Sequence, residues 1–125
     1  MSKRIIRTQN APAPIGAYSN AVKSCGLVYT SGQLPVDPAT GELVTEFKAA
    51  TRQSLENIKN ILEEAGTNIS EVIKVTVYLT DLGNFAAFNE VYNDYFTYEP
   101  PARTCVQVAA LPKGALIEID AIAEA

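Results

Sequence analysis

The stretch PPARTCVQVAALPKGALIEIDAIAEA (residues 100–125) decides how this chain is read. It holds two runs of strand character, TCVQVAAL (104–111) and ALIEIDAIA (115–123), on either side of LPKG, whose proline and glycine mark a turn. In the second run Ile117, Ile119 and Ala121 alternate with Glu118, Asp120 and Ile122, the period-2 pattern of a strand with one covered face. Arg103 opens the stretch and two carboxylates stand inside its apolar part. Charged groups in strands that otherwise read as core pose a functional question as well as a structural one.

Working outward, VIKVTVYLT (72–80) places Ile73, Val75, Val77 and Leu79 on one face and Lys74, Thr76 and Tyr78 on the other. AYSNAVK (17–23) and LVYTSGQL (27–34) read as two strands joined at a turn around Cys25-Gly26. Residues 46–65 have helical period, with Phe47, Thr51, Leu55, Ile58, Leu62 and Ala65 on one stripe, Thr45 as the expected N-cap and Gly66 as the stop. Residues 85–96 form a second stripe of Phe85, Phe88, Val91, Tyr92, Tyr95 and Phe96, with Asn84 or Asp81 placed to cap it. The opening MSKRIIRTQNAPAPIG reads as a short arm or edge strand. The order ββαβαββ predicts an α+β fold, a mixed sheet with two helices packed on one face, in a single domain over residues 1–125.

Two helices cover only one face of such a sheet. The other face is expected to carry Thr76, Tyr78, Cys105, Gln107 and Glu118, with Tyr18 nearby. A symmetric oligomer would bury that set, whereas a one-sided antiparallel sheet would leave it in water.

Composition narrows the chemistry. The 125 residues contain no histidine, which removes Ser-His-Asp and Cys-His catalysis and His-ligated zinc. Cys25 and Cys105 are far apart and form no C-x-x-C, so no metal site is read and two free thiols are expected. TSGQLP has the wrong spacing for a phosphate cradle, and no cofactor is expected. A net charge of -4, with no basic cluster beyond the first seven residues, argues against a nucleic-acid partner. No apolar run approaches the about 18 residues that span a bilayer, so no membrane partner is expected. The first residues lack the apolar core of a secretory signal, which makes cytoplasmic the expected location.

Arg103 follows two prolines that stiffen the approach to its strand. Its planar fork suits a carboxylate or phosphate, while the plainer alternative is an ion pair with Glu99, Glu118 or Asp120. Glu118 is placed to orient a water or exchange a proton; the plainer alternative is a solvated strand-face carboxylate. Cys105 shares a strand face with Arg103 and, with no histidine to activate it, reads as a small packed side chain. Tyr18 and Tyr29 read most simply as sheet packing and Phe85 as helix packing. Asn89, one helical turn beyond Phe85, either donates to a ligand or faces water.

Taken together, APAPIGAYSNAV, YTSGQLPVDPATGEL, QSLENIKNILEEAG, VIKVTVYLTDLGNFAAFNEVY and PARTCVQVAALPKGALIEIDAIA resemble the Rid family of reactive-intermediate deaminases, in its RidA subgroup. The likeness covers nearly the whole chain, and its specific part is the ending from Pro101 to Ala123. The resemblance implies a chorismate-mutase-like homotrimer with sites between subunits, and hydrolysis of 2-imino acids such as 2-iminopropanoate and 2-iminobutanoate to 2-keto acids and ammonia. It implies that Arg103 binds the substrate carboxylate and that the main chain at Ser31-Gly32 receives the imine nitrogen. Glu118 would hold the attacking water, helped by the main chain near Cys105, with Tyr18, Phe85 and Asn89 completing the pocket. Ala17 stands where many members have proline, and the FTYEPPAR loop is shorter than in some relatives.

Two other functions compete. A binding module would capture a small carboxylate without turnover, and would have no evident use for Glu118. A ribonuclease or translation inhibitor, an activity also attributed to some relatives, would sit uneasily with the acidic pI near 4.8.

Overall fold

The computed structural model describes residues 2–125. Six strands form one sheet: β1 (Arg4–Ile6), β2 (Ala21–Ser24), β3 (Leu27–Thr30), β4 (Val72–Leu79), β5 (Ala102–Gln107) and β6 (Ile117–Glu124). Two α-helices, α1 (Phe47–Glu64) and α2 (Phe85–Tyr95), lie on one side of it. The α+β reading with a mixed sheet therefore holds, and the N-terminal arm supplies β1 as an edge strand.

The spatial order is β1-β2-β3-β6-β4-β5. The strands around LPKG are thus not partners: β4 lies between them, antiparallel to β6 and parallel to β5. Helix α2 makes the crossover that parallel β4 and β5 require. The first run leaves the sheet sooner than its alternation suggests, since β5 ends at Gln107, whose Oε1 accepts the Leu82 N–H at 2.8 Å. That bond ties the end of β5 to the turn that enters α2.

Helix α1 forms where its apolar period says it should, burying Thr51, Leu55, Ile58 and Leu62. Its N-cap is Glu46 rather than Thr45: the carboxylate accepts the N–H groups of Lys48 and Ala49 at 3.0 and 2.9 Å. Those bonds hold the Glu46 carboxyl below its ordinary range. Gly66, at φ +87, ends the helix. A short 3-10 turn, Leu82–Asn84, leads into α2, and Asp81 caps that turn through the Gly83 N–H at 2.7 Å.

The core lies between the helices and the sheet, where Leu55, Ile58, Ile61, Leu62 and Phe88 meet Val28, Val75, Val77, Leu79, Ile117 and Ile119. Each such side chain contributes roughly 1.5–3 kcal/mol on burial, enough to fix both helices to this one face. Register settles which residues share it. Arg103, Cys105 and Gln107 pair with Val75, Val77 and Leu79, so all three stand on the helix face. The expectation that Cys105 and Gln107 belong to the uncovered face is corrected by that parallel pairing. Ile73 also leaves its expected face, because a bulge between Val72 and Lys74 shifts the alternation and exposes it.

The uncovered face carries Ile5, Val22, Tyr29, Thr76, Tyr78, Thr104, Val106, Glu118, Asp120 and Ile122. Tyr29 belongs to it as a strand residue, whereas Tyr18 precedes β2 and lies outside the sheet. Among the described residues no helix is long and apolar enough to cross a membrane.

Candidate active site

The predicted site residues fall into two groups on opposite faces of the sheet. The first is built by α2, whose Phe85, Phe88, Asn89 and Tyr92 recur at helical spacing and present one face to Arg103 on β5. The Arg103 guanidinium carbon lies 5.5, 5.4 and 4.8 Å from the ring centroids of Phe85, Phe88 and Tyr92. These are cation–π distances. Its Nη1 donates to Asn89 Oδ1 at 2.9 Å. Among the described residues the ion pairs are Lys48–Glu90 and Arg52–Asp94, so the plainer alternative, a pairing of Arg103 with Glu99, Glu118 or Asp120, is not made.

Phe85 is thus less a packing residue than a ring over the cation, and it is 38% exposed. Cys105, beside Arg103, packs against the core, and burial pushes its thiol up while the nearby guanidinium acts in the opposite sense. A raised thiol suits packing better than nucleophilic attack. Burial raises the Tyr92 phenol to about 12, with Arg103 opposing, so its hydroxyl stays protonated. That hydroxyl is buried without a hydrogen-bond partner among the described residues.

The second group gathers Tyr18, Ser31, Gly32 and Glu118 around a pocket of about 560 Å³, together with Ile15, Leu34, Pro112 and Lys113. The segment after β3 is held alongside β6 by paired bonds, Gln33 N–H to Ile119 O at 2.7 Å and Ile119 N–H to Gln33 O at 3.2 Å. Its continuation is anchored to α1, where the buried Asn57 amide donates to Leu34 O and Val36 O at 3.2 and 3.0 Å. Ser31 is pinned by its N–H to Asn20 O at 2.9 Å and its hydroxyl to Ser19 O at 2.5 Å. Gly32 consequently lies against Glu118: a Cβ at this position would stand 2.8 Å from Glu118 Cδ and closer still to Oε2. Glycine here is a close-approach requirement. Tyr18 Oη accepts the Ile15 N–H at 3.2 Å, which folds the loop over the pocket.

Burial raises the Glu118 carboxyl first, and the charge of Asp120 raises it further. Asp120 is raised by burial too, with the Tyr78 hydroxyl, which donates to its Oδ2 at 3.2 Å, and Lys74 pulling the other way. A half-buried carboxylate whose proton is held more tightly than usual is suited to exchange one with a bound water.

Lys113 is a pocket residue that sequence reasoning passed over, because LPKG reads only as a turn. Its φ of 62 places it in the left-handed region just before Gly114 at φ +71, an unusual backbone for a lysine at a pocket rim. A second cleft of about 330 Å³, lined in part by Pro12, Ala13, Val36 and Pro38, adjoins this pocket through Ile15, Tyr18, Gly32, Leu34 and Lys113. Among the described residues no cluster of three or more Cys, Asp or Glu is gathered as metal ligands would be, and both cysteines are unbonded.

Comparison with known proteins places this arrangement among relatives. Residues 8–125 match the family described as endoribonuclease L-PSP. A RutC family protein of Pyrococcus horikoshii is 56% identical over 122 residues, covering 97% of both chains. The 2-iminobutanoate/2-iminopropanoate deaminase of Salmonella typhimurium is 50% identical over 126 residues, covering 98% of both. The crystal structure of E. coli TdcF with bound serine superposes with a TM-score of 0.95 at 47% identity, again covering 98% of each chain.

Proposed function

The chain belongs to the endoribonuclease L-PSP family, which takes in the Rid-type reactive-intermediate deaminases, and from that premise we propose that it hydrolyses small 2-imino acids to 2-keto acids and ammonia. The observation that carries the proposal is Arg103, a half-buried cation seated on three rings and an amide with no carboxylate of its own among the described residues. Such a group is matched to an anionic substrate, because its charge is desolvated and uncompensated. Candidate substrates are 2-iminopropanoate and 2-iminobutanoate.

In this reading Arg103 takes the substrate carboxylate through its planar fork. The main chain at Ser31-Gly32 receives the imine nitrogen. Glu118 holds a water and accepts a proton from it as its oxygen bonds to C2 and the C=N π pair passes to nitrogen. That proton passes to the nitrogen, giving a carbinolamine; the remaining water proton then moves from its hydroxyl through Glu118 to the amine, the C–N bond breaks, and ammonia leaves as the keto group forms. Imino acid and water are consumed; keto acid and ammonia are released. Positioning and one proton shuttle suffice for an electrophile of this kind, and no cofactor is invoked.

Arg103 and Glu118 stand on opposite sheet faces, so we place each complete site between copies, Arg103 from one and Glu118 from the next, in a homotrimer. Tyr18 and Glu118 would line one wall, and Phe85, Asn89 and Cys105 the other. Such an enzyme belongs in the cytoplasm, beside the dehydratases that release these imines. A ribonuclease reading has no basic face to rest on, given the net charge of -4.

The test is keto-acid release from 2-iminobutanoate generated by a threonine dehydratase, with semicarbazide competing for the imine. Wild type should accelerate release. Arg103→Ala should lower kcat/KM by about 10²- to 10³-fold, as expected when roughly 3–5 kcal/mol of charge pairing is lost. A folded wild type that binds 2-oxobutanoate but accelerates nothing would replace the enzyme with a carboxylate-binding module.

A further inference from the structure

Helix α2 treats its polar side chains in two different ways. Its carboxylates Glu90 and Asp94 reach α1 and pair with Lys48 and Arg52. The side facing β5 meets a cation as well, Arg103, yet there the helix offers the amide of Asn89 at 2.9 Å. An amide oxygen accepts a guanidinium N–H much as a carboxylate does, but it brings no net charge. The rings of Phe85, Phe88 and Tyr92 stabilise the cation without neutralising it.

We infer that Asn89 is a positioning residue for Arg103, and that its neutrality is what the site uses: it fixes the fork while leaving the charge free for an incoming carboxylate. This rests on the carboxylate-binding reading of Arg103 and changes the part expected of Asn89, whose oxygen serves the arginine instead of the substrate. A carboxylate at position 89 would turn the seat into an internal ion pair that any ligand must first displace. An alanine there would leave the charge available but its fork unanchored.

The experiment is titration of 2-oxobutanoate, a simple carboxylate probe, into the full-length protein at low ionic strength, followed calorimetrically. Wild type, Arg103→Ala, Asn89→Ala and Asn89→Asp are compared, each checked for an unchanged melting temperature. The expected order of affinity is wild type, then Asn89→Ala weaker by a few fold, then Asn89→Asp weaker by at least tenfold. A purely structural role predicts the reverse order for the two variants, because aspartate is isosteric and keeps the hydrogen bond. Asn89→Asp binding as well as wild type, or better than Asn89→Ala, while Arg103→Ala binds nothing, overturns the inference and leaves the reading of Arg103 standing. Arg103→Ala binding like wild type, or no binding by wild type, removes that reading and the inference with it. Should Asn89→Asp fail to fold, Asn89→Ala decides alone: affinity equal to wild type overturns the positioning role.

Discussion

Arg103 and Glu118 stand on the two strands that flank β4, yet their surroundings differ in kind. Arg103 is held by one face of one helix, where residue spacing on α2 delivers three rings and an amide to the same point. Glu118 is held by backbone: a strand-like segment pinned to β6 brings Gly32 against its carboxylate, and loops supply the walls. The first half is a rigid seat for a charge. The second is a pocket in which, under the proposed reaction, a water would sit against Glu118. The two open on different sides of the sheet, which is why the proposed site joins one copy to the next.

The sharpest way to break that comparison is to separate the halves onto different chains. Arg103→Ala and Glu118→Gln proteins, each inactive, should regain activity when unfolded together and refolded. Random assembly into rings leaves about a quarter of inter-subunit sites with both groups intact. Recovery near that level supports composite sites, whereas none would place both groups in a site within one chain. Next in size is Gly32→Ala. Its φ is not in the left-handed region, and the added methyl meets Glu118 first, displacing the carboxylate. Turnover should fall roughly 10- to 100-fold, on the scale of a 1 Å misplacement, with the melting temperature and 2-oxobutanoate affinity little changed. Loss of affinity instead would mean that the two halves are mechanically one.

How much of this was legible in the residues depends on what alternation and periodicity encode. Helical period marked α1 and α2, and also put Phe85, Phe88, Asn89 and Tyr92 on one face, which is the Arg103 seat in outline. Strand alternation showed that Arg103 and Cys105 share a face, but not which face. That depends on a parallel register with β4, a contact between distant segments. For the same reason the place of β6 between β3 and β4 was hidden, since adjacent runs around a turn suggest adjacent strands. The bulge at Ile73 and the Glu46 cap are local choices that pattern alone does not resolve. Gly32 left no signal beyond being a glycine, because close approach exists only once two segments meet.

The smallest expected effect is on pH. Burial, then Asp120, raises Glu118, so the ionised form is the one the fold disfavours. Lowering pH through its pKa should therefore stabilise the folded protein while removing the base, and activity and stability should move in opposite directions. Asp120→Asn removes the second cause and should shift the acid limb of kcat/KM to lower pH, with the plateau preserved. A limb that stays in place would assign it to some group other than Glu118.

The central position of β6 also constrains how the chain is made. Strands β1 to β3 form one ribbon and β4 with β5 another, and β6 hydrogen-bonds to both. During synthesis each ribbon waits with an unpaired edge, and helices packed against it cover a core that is still open along one side. The sheet closes as a unit only when Ile117–Glu124 has left the ribosome and slid between them. Completion of the sheet thus waits on this one strand, and the segment that completes it is the same one that carries Glu118.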